Sequence, residues 1–174
     1  MGARGSNRKN DGWAIGWIVL VALGLACAKG PEVSPAPASF AARDAAVWAV
    51  LDRYMDALNA LDVEGHVATY HFPHYRHASG EIVVWQNAEE AMPILAVPPE
   101  ERRAALRRAL EPDWHRSEWT AREIVQGDDR KVHVATRFVR LRADGSVIKR
   151  FDSLYVLTLE GGRWGIRGRS SFAP

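Results

Sequence analysis

The densest run of side chains able to do chemistry in this 174-residue sequence is Tyr70-His-Phe-Pro-His-Tyr-Arg-His77. Three imidazoles (His71, His74 and His77) fall within seven residues, with Tyr75 and Arg76 between them. Imidazole titrates near neutrality and ligates metals, so the set suits acid–base or metal work. The spacing speaks against a metal. On a strand, His74 and His77 point to opposite faces, and no Cys or neighbouring acid supplies a third ligand. His74 and Arg76 share a face with Trp85, which suits a pair that orients a ligand. Glu123 becomes a candidate general base if its strand turns it into an enclosed space, because burial raises a carboxyl pKa. Tyr155 could donate a hydrogen bond to a developing oxyanion. His115, Trp119, Thr136, Ser153 and Ser170 complete the candidate ligand contacts. No cofactor is expected, since the sequence has no Gly-rich phosphate loop, nucleophile elbow or zinc motif.

These residues need elements to position them. Val47, Leu51, Tyr54, Leu58 and Leu61 recur at helical spacing, widened by Trp48 and Met55, and predict an amphipathic helix over 41–61. Asp62 reads as the N-cap of a short second helix to about Ala68, ended by Phe72-Pro73. Tyr75 to Trp85 alternates as a hairpin folded at Ser79-Gly80. Asn87 with Glu90 resembles a capping box. Glu100–Leu110 has acids first and Arg102, Arg103, Arg107 and Arg108 later, as the helix dipole prefers, and predicts a solvated helix face. From Trp114 onward the period is two, with strands over about 114–126, 130–142, 147–159 and 163–172 joined at Gly127–Arg130, Asp144-Gly145 and Gly161-Gly162. The fold class is therefore α+β, with N-terminal helices packed on one face of a strongly curved antiparallel sheet.

Two-residue turns at those joints fix the strand registers. Counting outward puts Trp119, Phe138, Phe151 and Phe172 in one apolar row, with Ala121, Thr136, Ser153 and Ser170, and Glu123, Val134, Tyr155 and Gly168, in further rows on the same face. The other face carries Arg122, Arg137, Asp152, Arg150, Arg167 and Arg169 among apolar residues. It reads as a homodimer face, with Arg137 and Asp152 as a cross-strand ion pair.

The first residues form an address. Arg4, Arg8 and Lys9 precede a 14-residue apolar run from Trp13 to Ala26. A membrane-spanning helix needs about 20 apolar residues, so residues 1–28 read as a signal peptide or lipoprotein signal with Cys27 as the possible lipidated residue. Simple secretion and an uncleaved anchor remain alternatives. Residues 29–39, with Pro31, Pro35 and Pro37, read as a tether. The expected location is the bacterial cell envelope, with membrane contact only through the N-terminal segment. Without residues 1–28 the chain has 20 basic and 20 acidic residues, and even the whole chain has a net charge of only +2. That excludes nucleic-acid binding driven by bulk charge. The single Cys excludes an internal disulfide framework.

The order of elements, with Tyr70–Trp85 after the second helix, the amphipathic start Ala45–Leu61 and the tail Leu154–Phe172, resembles the SnoaL-like branch of the nuclear transport factor 2 family over about residues 40–174. The resemblance implies a cone-shaped fold, a homodimer and a pocket inside the cone. It leaves the activity open, because that superfamily holds isomerases, dehydratases, epoxide hydrolases, polyketide cyclases and binders without catalysis. In the isomerase and cyclase relatives a pocket carboxylate is the general base. Here that role would fall to Glu123, or to His74, with Tyr155 as hydrogen-bond donor. Three readings follow: a pocket for a small apolar molecule, an enzyme moving a proton next to a carbonyl, and a protein-interaction module.

Overall fold

The apolar stripe of the first helix is where the fold is anchored. In the computed structural model, which describes residues 38–172, helix α1 spans Ala38–Ala60. It buries Val47, Val50, Leu51, Tyr54, Met55 and Leu58. The helix stops where Leu61 adopts φ 56°. The amide of Asp62 then reaches back to the Ala57 carbonyl (2.8 Å) and that of Leu61 to the Leu58 carbonyl (3.0 Å). This is the Schellman closure, which satisfies carbonyls that the helix itself leaves free. Asp62 caps the next helix, α2 (Val63–Val67), by accepting from the Gly65 amide. The signal segment, Cys27 and most of the expected tether lie outside the described residues; α1 begins at Ala38, within the span read as tether.

Strand β1 (Tyr70–Ala78) turns at Ser79-Gly80 into β2 (Glu81–Trp85). Phe72-Pro73, expected to end a helix, lies inside β1. A short helix α3 (Ala88–Ala91), capped by Asn87, and a 3-10 turn (Pro93–Ala96) lead to α4 (Pro99–Ala109). Arg108 of α4 is exposed as expected, but the other three arginines are not simply solvated. Arg102 donates to the Val97 and Leu95 carbonyls, Arg103 to Ala60 and Arg107 to Glu111 and Pro112. They pin the neighbouring loops and the C-terminal end of α1 to the helix. Four long strands follow: β3 (Arg116–Gly127), β4 (Lys131–Leu141), β5 (Val147–Glu160) and β6 (Arg163–Ser171). The six strands form one sheet in the order β2-β1-β6-β5-β4-β3. The β1–β6 pairing is parallel and the others antiparallel. It is a curved, unclosed sheet, and the fold is α+β. Among the described residues no helix is long and apolar enough to cross a membrane.

The hairpin counts agree with some rows and miss others, because the joints into β4 and β5 are wider than two residues and bulges further along offset them. Trp119, Phe138 and Phe151 are aligned across three strands, with the two Phe rings stacked at 4.6 Å. Phe172 is not in that row. It lies beyond β6 and is 81% exposed. The β3–β4 register shifts between Trp119 and Ala121 and again between Ile124 and Gln126, and β5–β6 shifts between Val156 and Leu157. Each inserted residue exchanges the two faces of the strand beyond it. The first joint is also longer than two residues: Gly127 pairs with Val132, and the Asp128 carboxylate accepts from the amides of Arg130 and Lys131. The ion pair of Arg137 with Asp152 is present at 2.7 Å, with both side chains about half exposed.

Candidate functional site

The concave face of the sheet and the helices enclose a cavity of about 210 Å³. Met55 and Leu58 of α1, Leu106 and Leu110 at α4, Met92 and Phe138 give it apolar walls. Tyr54, His66, Tyr70, Trp85, Arg140 and Arg169 give it polar groups. Among the described residues its lining contains no Asp or Glu. The aromatic rings are ordered against each other. Tyr70 stacks on His74 at 4.1 Å, His74 on Trp85 at 5.6 Å, and Tyr54 lies 4.2 Å from His66.

Main-chain carbonyls fix both imidazoles. His74 Nδ1 is 2.9 Å from the Ile166 carbonyl oxygen, and His66 Nδ1 is 3.1 Å from that of Tyr54. A carbonyl only accepts, so both Nδ1 atoms carry protons. His66 Nε2 is then the acceptor for the Tyr70 hydroxyl at 3.3 Å. Burial holds both imidazoles down at a pKa of about 4, opposed by these carbonyl bonds and aided by the charge of Arg169. Both are neutral at pH 7. Burial raises the phenols of Tyr70 and Tyr155 above the ordinary range. Arg169, partly buried, donates from Nη1 to the Tyr54 hydroxyl (2.9 Å) and the Tyr155 hydroxyl (3.5 Å). Arg140 on the same wall is paired with Glu111 at 2.5 Å, while its Nε is buried with no partner among the described residues. The cavity is thus a cationic, hydrogen-bonding end joined to an oily one.

The family model for NTF2-like proteins (DUF6841) matches residues 43–171. The chain belongs to this NTF2-like family. No curated protein matches it. Solved structures share the fold of this NTF2-like domain at low identity. A Nostoc punctiforme protein of unknown function with a cystatin-like fold aligns with a TM-score of 0.58 at 14% identity, covering 77% of this chain and 92% of that one. An NTF2-like protein of unknown function from Shewanella oneidensis aligns at 0.57 and 14%, covering 75% and 99%. An NTF2-like protein with a cystatin-like fold from Novosphingobium aromaticivorans aligns at 0.55 and 12%, covering 76% and 86%.

Within this NTF2-like domain the expected site residues separate into three groups. His74 and Trp85 share the concave side as predicted, and Arg76 is in register with Arg169 on the neighbouring strand. Tyr155, Trp119, Thr136 and Ser153 also face inward, but their polar atoms are engaged in the core. Trp119 Nε1 donates to the Leu51 carbonyl (3.3 Å), Thr136 Oγ1 to that of Ser153 (3.3 Å), and Ser153 Oγ meets Ser171 Oγ at 2.9 Å. Glu123, Ser170 and His115 leave the set. The bulge after Trp119 pairs Glu123 with Ala135 and Arg122 with Thr136, so Glu123 is exposed on the outer face. Arg122, expected outside, instead reaches Asp52 of α1 at 2.5 Å. The β6 bulge pairs Ser170 with Leu154 on the outer face. His115 precedes β3 and is exposed. The same β6 bulge brings Arg169 inward, where simple alternation put Gly168. Arg169 and Tyr54 are thus the polar centre that the residue count missed. Tyr54 was visible only as a member of a helical stripe. His71 is separate from the cavity: its ring packs 2.8 Å from the position of a Cβ on Gly165, beside Thr158 and Glu160.

Proposed function

We propose that this domain binds a small molecule in the cavity under the concave sheet face and performs no proton abstraction there. One observation carries the reading: among the described residues the cavity has no carboxylate in its lining, and its two neighbouring imidazoles are held by burial at a pKa of about 4. A general base works best with a pKa near the operating pH. Glu123, the alternative base, stands on the far side of the sheet. The volume is of a suitable size, since a cavity of about 150 Å³ holds benzene. In this reading the N-terminal segment exports the chain to the bacterial envelope. Two copies associate through the outer sheet face, where Val125 and Leu154 are exposed.

Ala91 is half-buried and lines the cavity. An Ala91→Trp substitution would fill the space without emptying any core position. Ligand-observed NMR on the full chain in detergent, with a panel of monocyclic aromatic compounds, should show binding that Ala91→Trp abolishes. Binding that survives Ala91→Trp would move the site elsewhere. Native mass spectrometry of the same sample should show a dimer that Leu154→Asp dissociates; a monomeric wild-type chain would refute that interface.

A further inference from the structure

Among the described residues the cavity holds a cation without a counter-ion. Among the described residues, most arginines that approach an acid do so at the surface or, like Arg140, as a pair with Glu111. Arg169 has no carboxylate within ion-pair distance among the described residues; its partners are two phenol oxygens. Arg76, on the adjacent strand and in register with Arg169, has none either. Burial lowers the Arg76 pKa, and the like charge of Arg169 lowers it further. Two neighbouring guanidinium groups, partly stripped of water and facing no acid, are costly to keep without an anion. Nearby His66 and His74 add no charge, but nor do they compensate any.

The hydrogen bonds leave the right valences for such an anion. Arg169 uses Nη1 on the phenols, while its Nε and Nη2 bond to no other group among the described residues. The Tyr54 hydroxyl accepts from Arg169, so its own proton points either to the neighbouring phenols of Tyr70 and Tyr155 or to a ligand that displaces them as acceptor. A guanidinium edge beside a hydroxyl donor matches a planar carboxylate, which takes paired N–H donors. The remaining walls are Met55, Leu58, Leu106 and Phe138. They match an apolar body.

We infer that the cavity takes a small carboxylic acid as its anion, with the carboxylate on Arg169 and the Tyr54 hydroxyl and an apolar body of about the size of a benzene ring against Met55, Leu58, Leu106 and Phe138. This rests on the reading of the cavity as a binding site, and narrows it from apolar molecules in general to apolar acids.

Benzoate and its neutral isostere benzamide are the probes, with hexanoate and hexanamide as an unbranched pair. Affinities are measured by NMR titration of the full chain in detergent. Each carboxylate should bind about tenfold or more tightly than its amide, as charge-assisted hydrogen bonds are stronger than neutral ones. Arg169→Met should erase that preference while the amides still bind. Arg169→Gln, which keeps a donor for the Tyr54 hydroxyl, is the second variant if Arg169→Met does not fold, and should erase it too. Equal binding of acids and amides by the wild type overturns the inference and leaves the cavity reading intact. Binding of none of the four probes overturns both. A preference that persists in the Arg169 variants places the anion elsewhere and also overturns the inference.

Discussion

Two neutral histidines packed under the sheet should make this protein acid-labile in a defined window. His66 and His74 are 4% and 2% exposed. Each falls from an ordinary pKa of 6.5 to about 4 on folding, chiefly through burial. Between those two values the unfolded chain binds more protons than the folded one, so stability falls as pH drops from 6.5 and levels off near 4. At pH 5 an unfolded imidazole is nearly all protonated, while about one-tenth of the folded one is. With 1.36 kcal/mol for each pH unit of separation, the loss between pH 7.5 and pH 5 is about 2 kcal/mol per histidine and about 4 kcal/mol for both. That is a large share of an ordinary domain's stability of about 5–15 kcal/mol. The control is His66→Asn with His74→Asn. Asparagine places an amide N–H near the Nδ1 position, so it can still donate to the carbonyls of Tyr54 and Ile166, and it does not titrate. Equilibrium urea unfolding at the two pH values is the assay. The wild type should lose about 4 kcal/mol and the double variant only a small part of that. Equal losses in both proteins would show that these imidazoles are not the acid-sensitive element.

Two structural predictions test the registers on which the site depends. A Cβ on Gly168 would overlap the Tyr75 ring that lies over it, so Gly168→Ala should cost about 1–3 kcal/mol, and adding Tyr75→Ala should recover part of the loss in thermal melts; no recovery would refute that packing. Asn59 clamps the buried main chain of Ser117, donating to its carbonyl at 2.8 Å and accepting from its amide at 2.7 Å. Asn59→Ala leaves both groups unpaired, which should cost about 1–3 kcal/mol or more, and should speed hydrogen exchange of the Ser117 amide; unchanged exchange would disprove the clamp.

The local code was readable residue by residue. The stripe Val47–Leu58 had one face to bury, Asp62 and Asn87 had caps to make, and Ser79-Gly80, Asp144-Gly145 and Gly161-Gly162 had turns to form. From Ser79-Gly80 alternation correctly sent His74 to join Trp85, whereas Trp119 met Phe138, and Phe138 met Phe151, only because joints wider than two residues were offset by bulges in the strands. The helical stripe, the caps and the His74–Trp85 pair depend only on near neighbours along the chain or on one tight turn.

The charge of the cavity was decided by the assembled sheet. A residue inserted after Trp119 sent Glu123 out and Arg122 toward α1; another in β6 sent Ser170 out and Arg169 in. Because side chains alternate with a period of two, one extra residue exchanges acid for base across the sheet without altering the pattern of apolar residues by which the strand was recognised. The parallel pairing that sets Arg76 beside Arg169 joins strands more than ninety positions apart. Composition and periodicity therefore determined the helices, the strands and most of the core. Only the tertiary structure, through bulges and that long-range pairing, determined that the hollow is lined by arginine and phenol rather than by a carboxylate.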